Sequence, residues 1–180
     1  MKTLVIFDFD DTLFRTGSRI IVRSSSGSEK FLTTHKYPLY RPSPGDEFDF
    51  SEFEVYPPSP SPIEKTVEKF KKFVATTGIQ NVIILTARAN AAPVREVLKD
   101  FDLPPVEVIA VGNSAPEAKS EFVESRILKK GYDSIVLYED NDRNIAEICL
   151  KMFDLEVPCC AYKVMPNGSI QTIIKEFLQD

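Results

Sequence analysis

The chain is poor in several things, and each shortage argues against a class of protein. It has three cysteines among 180 residues, Cys149, Cys159 and Cys160, all in apolar surroundings. Neighbouring cysteines rarely pair with each other, so the expectation is reduced thiols in a cytoplasmic interior rather than a disulfide scaffold. No apolar run is long enough to span a bilayer, and the first, Leu4-Val5-Ile6-Phe7, is brief and runs straight into acids. Neither a membrane span nor a signal peptide is expected. Positive charge is not in excess: 22 basic against 27 acidic residues leave a net charge of −5. That disfavours nonspecific binding to long nucleic acid, while a short phosphorylated end stays compatible. There is one histidine, His35. A lone histidine lacks the partners that a catalytic or metal site needs, so a partly exposed loop residue is expected, with a substrate contact as the alternative. No internal repeat is visible, and no obligate protein partner is implied.

What is present centres on Phe7-Asp8-Phe9-Asp10-Asp11-Thr12-Leu13. An apolar strand here ends in three acids. Residues i and i+2 of a strand share a side, so Asp8 and Asp10 are expected to project together, with Asp11 turned away. Carboxylates held that close repel unless a cation joins them or one keeps its proton. A hard divalent ion with oxygen ligands suits them, Mg²⁺ before Ca²⁺ if a phosphate completes the shell.

At 180 residues the chain can form one α/β core with an insertion. Residues 15–61 break the core pattern. Ile20-Ile21-Val22 and Lys30-Phe31-Leu32-Thr33 flank a Ser-rich turn around Gly27, which predicts a β-hairpin. Six basic residues (Arg15, Arg19, Arg23, Lys30, Lys36, Arg41) precede an acidic stretch from Asp46 to Glu54, and Phe31, His35, Tyr37 and Tyr40 lie among them. Basic and aromatic side chains interleaved in this way suit a nucleotide or an oligonucleotide end; the alternative is a solvated hairpin neutralised by the acids that follow. Pro57 to Pro62 is Pro/Ser-rich, an extended linker back to the core.

From Ser61 the pattern becomes regular. Ser61-Pro62-Ile63-Glu64 reads as a capping box opening a helix with Ile63, Val67, Phe70 and Val74 on one face and Gly78 as its stop. Val82-Ile83-Ile84-Leu85 is a second strand, ending in Thr86-Ala87-Arg88, where a hydroxyl and a guanidinium suit a phosphate. Asn90 can cap the next helix; a third strand, Val106–Val111, leads to a second capping box, Ser114-Ala115-Pro116-Glu117. In the helix that follows, Lys119 shares a stripe with Val123 and Ile127 and so should face the sheet, where it needs an anion. The fourth strand, Ser134–Tyr138, ends in Glu139-Asp140 before another helix; Cys159–Val164 is a fifth strand, and a final helix is expected over about 169–178, after a turn at Asn167-Gly168. Strands separated by helices imply a parallel sheet. If the order is 3-2-1-4-5, the Asp8/Asp10, Thr86 and Glu139/Asp140 ends meet at its switch point, where such sheets bind ligands.

Asp8-x-Asp10-x-Thr12, Ile84-Leu85-Thr86-Ala87-Arg88, the Lys119 helix and Glu139-Asp140, in this order, resemble the four motifs of the haloacid dehalogenase (HAD) superfamily. Ala87 stands where relatives often have Gly, and Glu139 where many have Asp. The resemblance spans most of the chain and implies a Rossmann-like α/β three-layer sandwich, with residues 1–14 and 62–180 as catalytic core and 15–61 as a small β-rich cap. It implies a Mg²⁺-dependent phosphatase acting through an aspartyl-phosphate. Asp8 would be nucleophile and Asp10 acid and base, with Thr86 and Lys119 holding the phosphoryl group and Thr12, Ala87 and Arg88 binding substrate. Mg²⁺ would be held by Asp8, Asp10 and Asp140, assisted by Glu139. The subfamily resemblance is to small phage-encoded phosphatases and polynucleotide 3′-phosphatase domains, which tilts the substrate toward a nucleotide or a nucleic-acid 3′-phosphate. A sugar-phosphate phosphatase and a non-catalytic nucleotide-binding module are the alternatives. A phosphorelay receiver would place its phosphorylated Asp on a later strand.

Overall fold

The computed structural model describes residues 2–175. In chain order its strands and helices are β1 (Thr3–Phe7), β2 (Phe14–Arg15), β3 (Arg19–Arg23), β4 (Glu29–Thr33), β5 (Glu47–Asp49), β6 (Ser61–Pro62), α1 (Glu64–Thr77), β7 (Val82–Thr86), α2 (Ala92–Asp100), β8 (Glu107–Ala110), α3 (Pro116–Lys130), β9 (Ser134–Glu139), α4 (Asp142–Asp154), β10 (Cys159–Val164) and β11 (Ile170–Ile174). The main sheet runs β11-β10-β9-β1-β7-β8, with every pair parallel except β10 and β11. The expected 3-2-1-4-5 order is therefore present, extended by one antiparallel edge strand. β1 is central between β7 and β9.

The alternation of side chains along β1 divides the core in two. Val5 and Phe7 pack with Val67 and Phe70 of α1 and Val94, Val97 and Leu98 of α2. Leu4 and Ile6 face the other way, onto Val123 and Ile127 of α3 and Ile145, Ile148 and Met152 of α4. Helices thus cover both faces, which is why the buried strands read as continuous apolar runs. No helix among the described residues is long and apolar enough to cross a membrane.

Three sequence expectations are corrected. The last helix expected over 169–178 is a strand, Ile170–Ile174, paired antiparallel with β10; residues 176–178 lie outside the described chain. Asn167-Gly168, with Gly168 at φ 81°, makes the hairpin turn, and the β-branched run Ile170, Thr172, Ile173, Ile174 suits an edge strand. Neither capping box forms. Ser61 and Pro62 are used as β6 against β2, so α1 starts at Glu64 behind Ile63. α3 starts at Pro116 with Ala115 as its cap residue, and no side chain caps it.

β2 and β6 form a two-stranded neck where the insertion leaves and rejoins the core. Beyond it, β4-β3-β5 is a separate antiparallel sheet with its own small core of Ile20, Val22, Leu32 and Phe53. The charges of this cap are partly settled within it. Arg19 pairs with Glu52 at 2.8 Å, and Arg23 pairs with Glu29 and Asp49, both at 2.9 Å.

Candidate active site

The carboxyl ends of β7, β1 and β9, three adjacent parallel strands, present Thr86, Asp8 and Glu139 side by side. Lys119 reaches this row from α3. Its Nζ donates to Asp8 Oδ1 at 2.6 Å and to Glu139 Oε2 at 2.7 Å, and the side chain is 3% exposed. The helical spacing with Val123 and Ile127 does bring the ammonium to the sheet. Burial opposes its charge, but Asp8 and Glu139 together outweigh burial and raise its pKa. Glu139 spends its other oxygen on the Asn141 N–H at 3.2 Å, at the start of α4. It is thus held as a counter-ion for Lys119, and Asp140 lies against it, close enough for the two carboxyls to share a hydrogen bond.

Asp8, Glu139 and Asp140 bring carboxylate oxygens within 4.8 Å of one another. Burial pushes the Asp8 carboxyl up to about 7, with Glu139 adding to the rise and Lys119 opposing it. Asp140 is pushed further, to about 10, again by burial first and then by Glu139 and Asp8. The donors are hard oxygens, and acids outnumber cations. That set fits a hard divalent cation such as Mg²⁺.

The raised pKa values make stability depend on pH. Between about pH 4 and the folded values, the unfolded chain has released the Asp8 and Asp140 protons while the folded chain retains them. Raising the pH through this window therefore destabilises the metal-free fold. With EDTA present, the melting temperature should fall by several degrees between about pH 5 and about pH 8, and Mg²⁺ should raise it more at the higher pH. Scanning calorimetry checks this; a melting temperature that climbs over the same range, indifferent to Mg²⁺, would contradict the cluster as described.

Asp10 is engaged elsewhere. Arg88 grips it with Nε and Nη2, each at 2.8 Å, and Thr16 Oγ1 donates to it at 2.8 Å. Arg88 also donates to the Phe53 carbonyl at 3.1 Å and to Ser18 at 3.3 Å, and its guanidinium lies between the rings of Phe9 and Phe53. Arg88 is 3% exposed, and the hydrogen bonds of its guanidinium run to Asp10, Ser18 and Phe53. Strand-end position alone suggests a phosphate contact and says nothing about Ser18 and Phe53.

The remaining expected groups are also located. Thr86 is 1% exposed and its hydroxyl accepts the Arg88 N–H at 3.2 Å, so it braces the turn; Ala87 is half-buried beside it. Thr12 is fully buried, with no hydrogen-bond partner for its hydroxyl, and so lies beneath the site rather than at its surface. Asp11 takes a left-handed backbone at φ 60°. It meets the cap there, accepting a hydrogen bond from Thr34, with His35 Nε2 3.5 Å away. Tyr37 adds a cap contact on the other side, its hydroxyl 3.4 Å from Ser114 ahead of α3. The cap therefore closes onto the core at Asp10, Asp11 and Ser114.

Comparison with protein-family models, curated proteins and solved structures finds no match for this chain.

Proposed function

We propose that the chain is a Mg²⁺-dependent phosphatase of HAD type, hydrolysing a phosphomonoester through an aspartyl-phosphate. The observation that carries this reading is the buried lysine joining Asp8 to Glu139, beside Asp140, at the ends of the central strands. A buried cation shared by two acids costs much desolvation and would be out of place as mere scaffolding. At a phosphoryl-transfer site it aims Asp8 and supplies positive charge where the equatorial oxygens gather negative charge.

In this reading Asp8 Oδ attacks phosphorus, and Asp10 protonates the departing oxygen, then takes the proton of the hydrolytic water. Using one acid in both directions requires that its carboxyl be held still, which the Arg88 fork does. The Ala87 and Arg88 turn at the end of β7 receives the phosphoryl group beside Lys119. Mg²⁺, held by Asp8, Asp140 and the main-chain carbonyl of Asp10, would offset the repulsion between nucleophile and phosphate.

For the substrate, we favour a nucleotide or a nucleic-acid 3′-phosphate. Arg19 and Arg23 are neutralised inside the cap, so the support comes from its aromatic side. Tyr37, Phe48, Phe50 and Phe53 form a connected set of ring contacts, Phe50 is 38% exposed, and Tyr37 stands against Ser114 at the core's edge. Rings placed this way can stack a base.

The test is inorganic phosphate release, with and without Mg²⁺, from an aryl phosphate, 5′- and 3′-mononucleotides, 3′-phosphorylated oligonucleotides and sugar phosphates. Mg²⁺-dependent release, fastest with a base-bearing substrate, is expected. Selective release from sugar phosphates would overturn the substrate class, and no release from a folded protein would overturn the enzyme.

A further inference from the structure

The phosphatase reading uses Asp8, Asp10, Glu139 and Asp140 and leaves the cap-side groups at Asp11 without a role. There the single histidine of the chain meets two carboxylates that arrive from distant parts of it. We propose that Asp11, His35 and Asp140 form a second cation site, suited to a borderline divalent ion such as Zn²⁺, that ties the cap to the core.

One ligand atom from each residue lies within 4.8 Å of the other two. His35 Nε2 and Asp11 Oδ1 are 3.5 Å apart. Around a zinc ion with bonds near ~2.1 Å, neighbouring tetrahedral ligands stand about 3.4 Å apart, so the pair already has the spacing of a shared shell. Imidazole alongside carboxylates selects Zn²⁺ and similar ions over Mg²⁺, which prefers oxygen throughout. The Thr34 hydroxyl donates to Asp11 Oδ2, the oxygen other than the one nearest His35, and so orients the carboxylate as an outer-shell partner does.

The charge count also points to a cation. Asp8, Asp10, Asp11, Glu139 and Asp140 are grouped here, and the buried cations among them are Lys119 and Arg88, the first committed to Asp8 and Glu139 and the second to Asp10. Once all five carboxyls are ionised, one divalent ion at Asp8 still leaves the cluster negative. Asp140 stands within reach of both centres and can be shared between them. Because Thr34 and His35 follow β4 directly, an ion held there ties the β4 end of the cap to the core at Asp11.

The inference goes beyond the phosphatase reading and does not need it to hold. With one histidine in the chain, the imidazole NMR signals of tag-free protein belong to His35 alone. Zn²⁺ added to full-length protein should shift them and saturate at one equivalent. Asp11→Asn should weaken that response at least tenfold; asparagine tolerates the left-handed backbone and can still accept from Thr34, so the variant should fold. His35→Gln should remove the same binding event from a calorimetric titration. In Asp8→Asn the His35 shift should persist although the nucleophile is gone. If the His35 signals ignore Zn²⁺, or respond equally in Asp11→Asn, the site does not exist. A Zn²⁺ shift without phosphate release would leave this site standing and remove the phosphatase reading; release without a shift would do the reverse.

Discussion

Asp8→Asn should lower Mg²⁺-dependent phosphate release by roughly four orders of magnitude or more, the scale of losing a nucleophile. The substitution keeps shape and one acceptor oxygen, so the 2.6 Å bond from Lys119 can persist and the fold should be retained. The pH dependence of stability separates this from a general loss of structure. The buried Asp8 carboxyl is held at about 7, and replacing it by a neutral amide removes one of the groups that destabilise the metal-free fold as pH rises. The variant's melting temperature in EDTA should therefore fall less between about pH 5 and about pH 8 than that of the unsubstituted protein. Activity within tenfold of the parent, with Mg²⁺ present, would remove Asp8 from the role of nucleophile.

How far such a site can be read without coordinates depends on whether its contacts are local. Asp8, Thr86 and Glu139 each end an apolar run, and strand parity together with the sheet order brings those ends together. Lys119 was legible for a similar reason, since its spacing from Val123 and Ile127 turns it toward the sheet whatever happens elsewhere. Arg88 is the opposite case. Its partners Ser18 and Phe53 lie 70 and 35 residues away in the insertion, whose fold back onto the core has no periodic signal. His35 looked solitary for the same reason, because Asp11 and Asp140 approach it only in three dimensions. The final strand was missed through competition between two local signals. An Asn-Gly turn and a β-branched run favoured a hairpin, while the preceding alternation of strands and helices favoured one more helix.

Arg88→Ala and Arg88→Lys should separate the two jobs of this side chain. Removing the guanidinium leaves Asp10 without its fork and strands the Phe53 carbonyl, while the buried Ser18 hydroxyl keeps the Glu52 carbonyl as its partner. Breaking one partner of such a pair costs about 3–5 kcal/mol, or on the order of 10 °C in melting temperature for a chain of this size. The loss should loosen the cap as well, since three of its contacts with the core pass through this residue or the adjoining Asp10. Lysine keeps the charge and should fold better, but one ammonium cannot reproduce the two bonds that fix the plane of the Asp10 carboxyl. In Arg88→Lys, kcat should therefore fall by about 10²-fold, within the range attributed to a positioned acid and base, while KM stays within a few-fold. Steady-state kinetics on the best substrate of the panel decides it. A large rise in KM at unchanged kcat would mean that Arg88 leaves Asp10 to grip the substrate phosphate, and the closed neck would then have to open on binding.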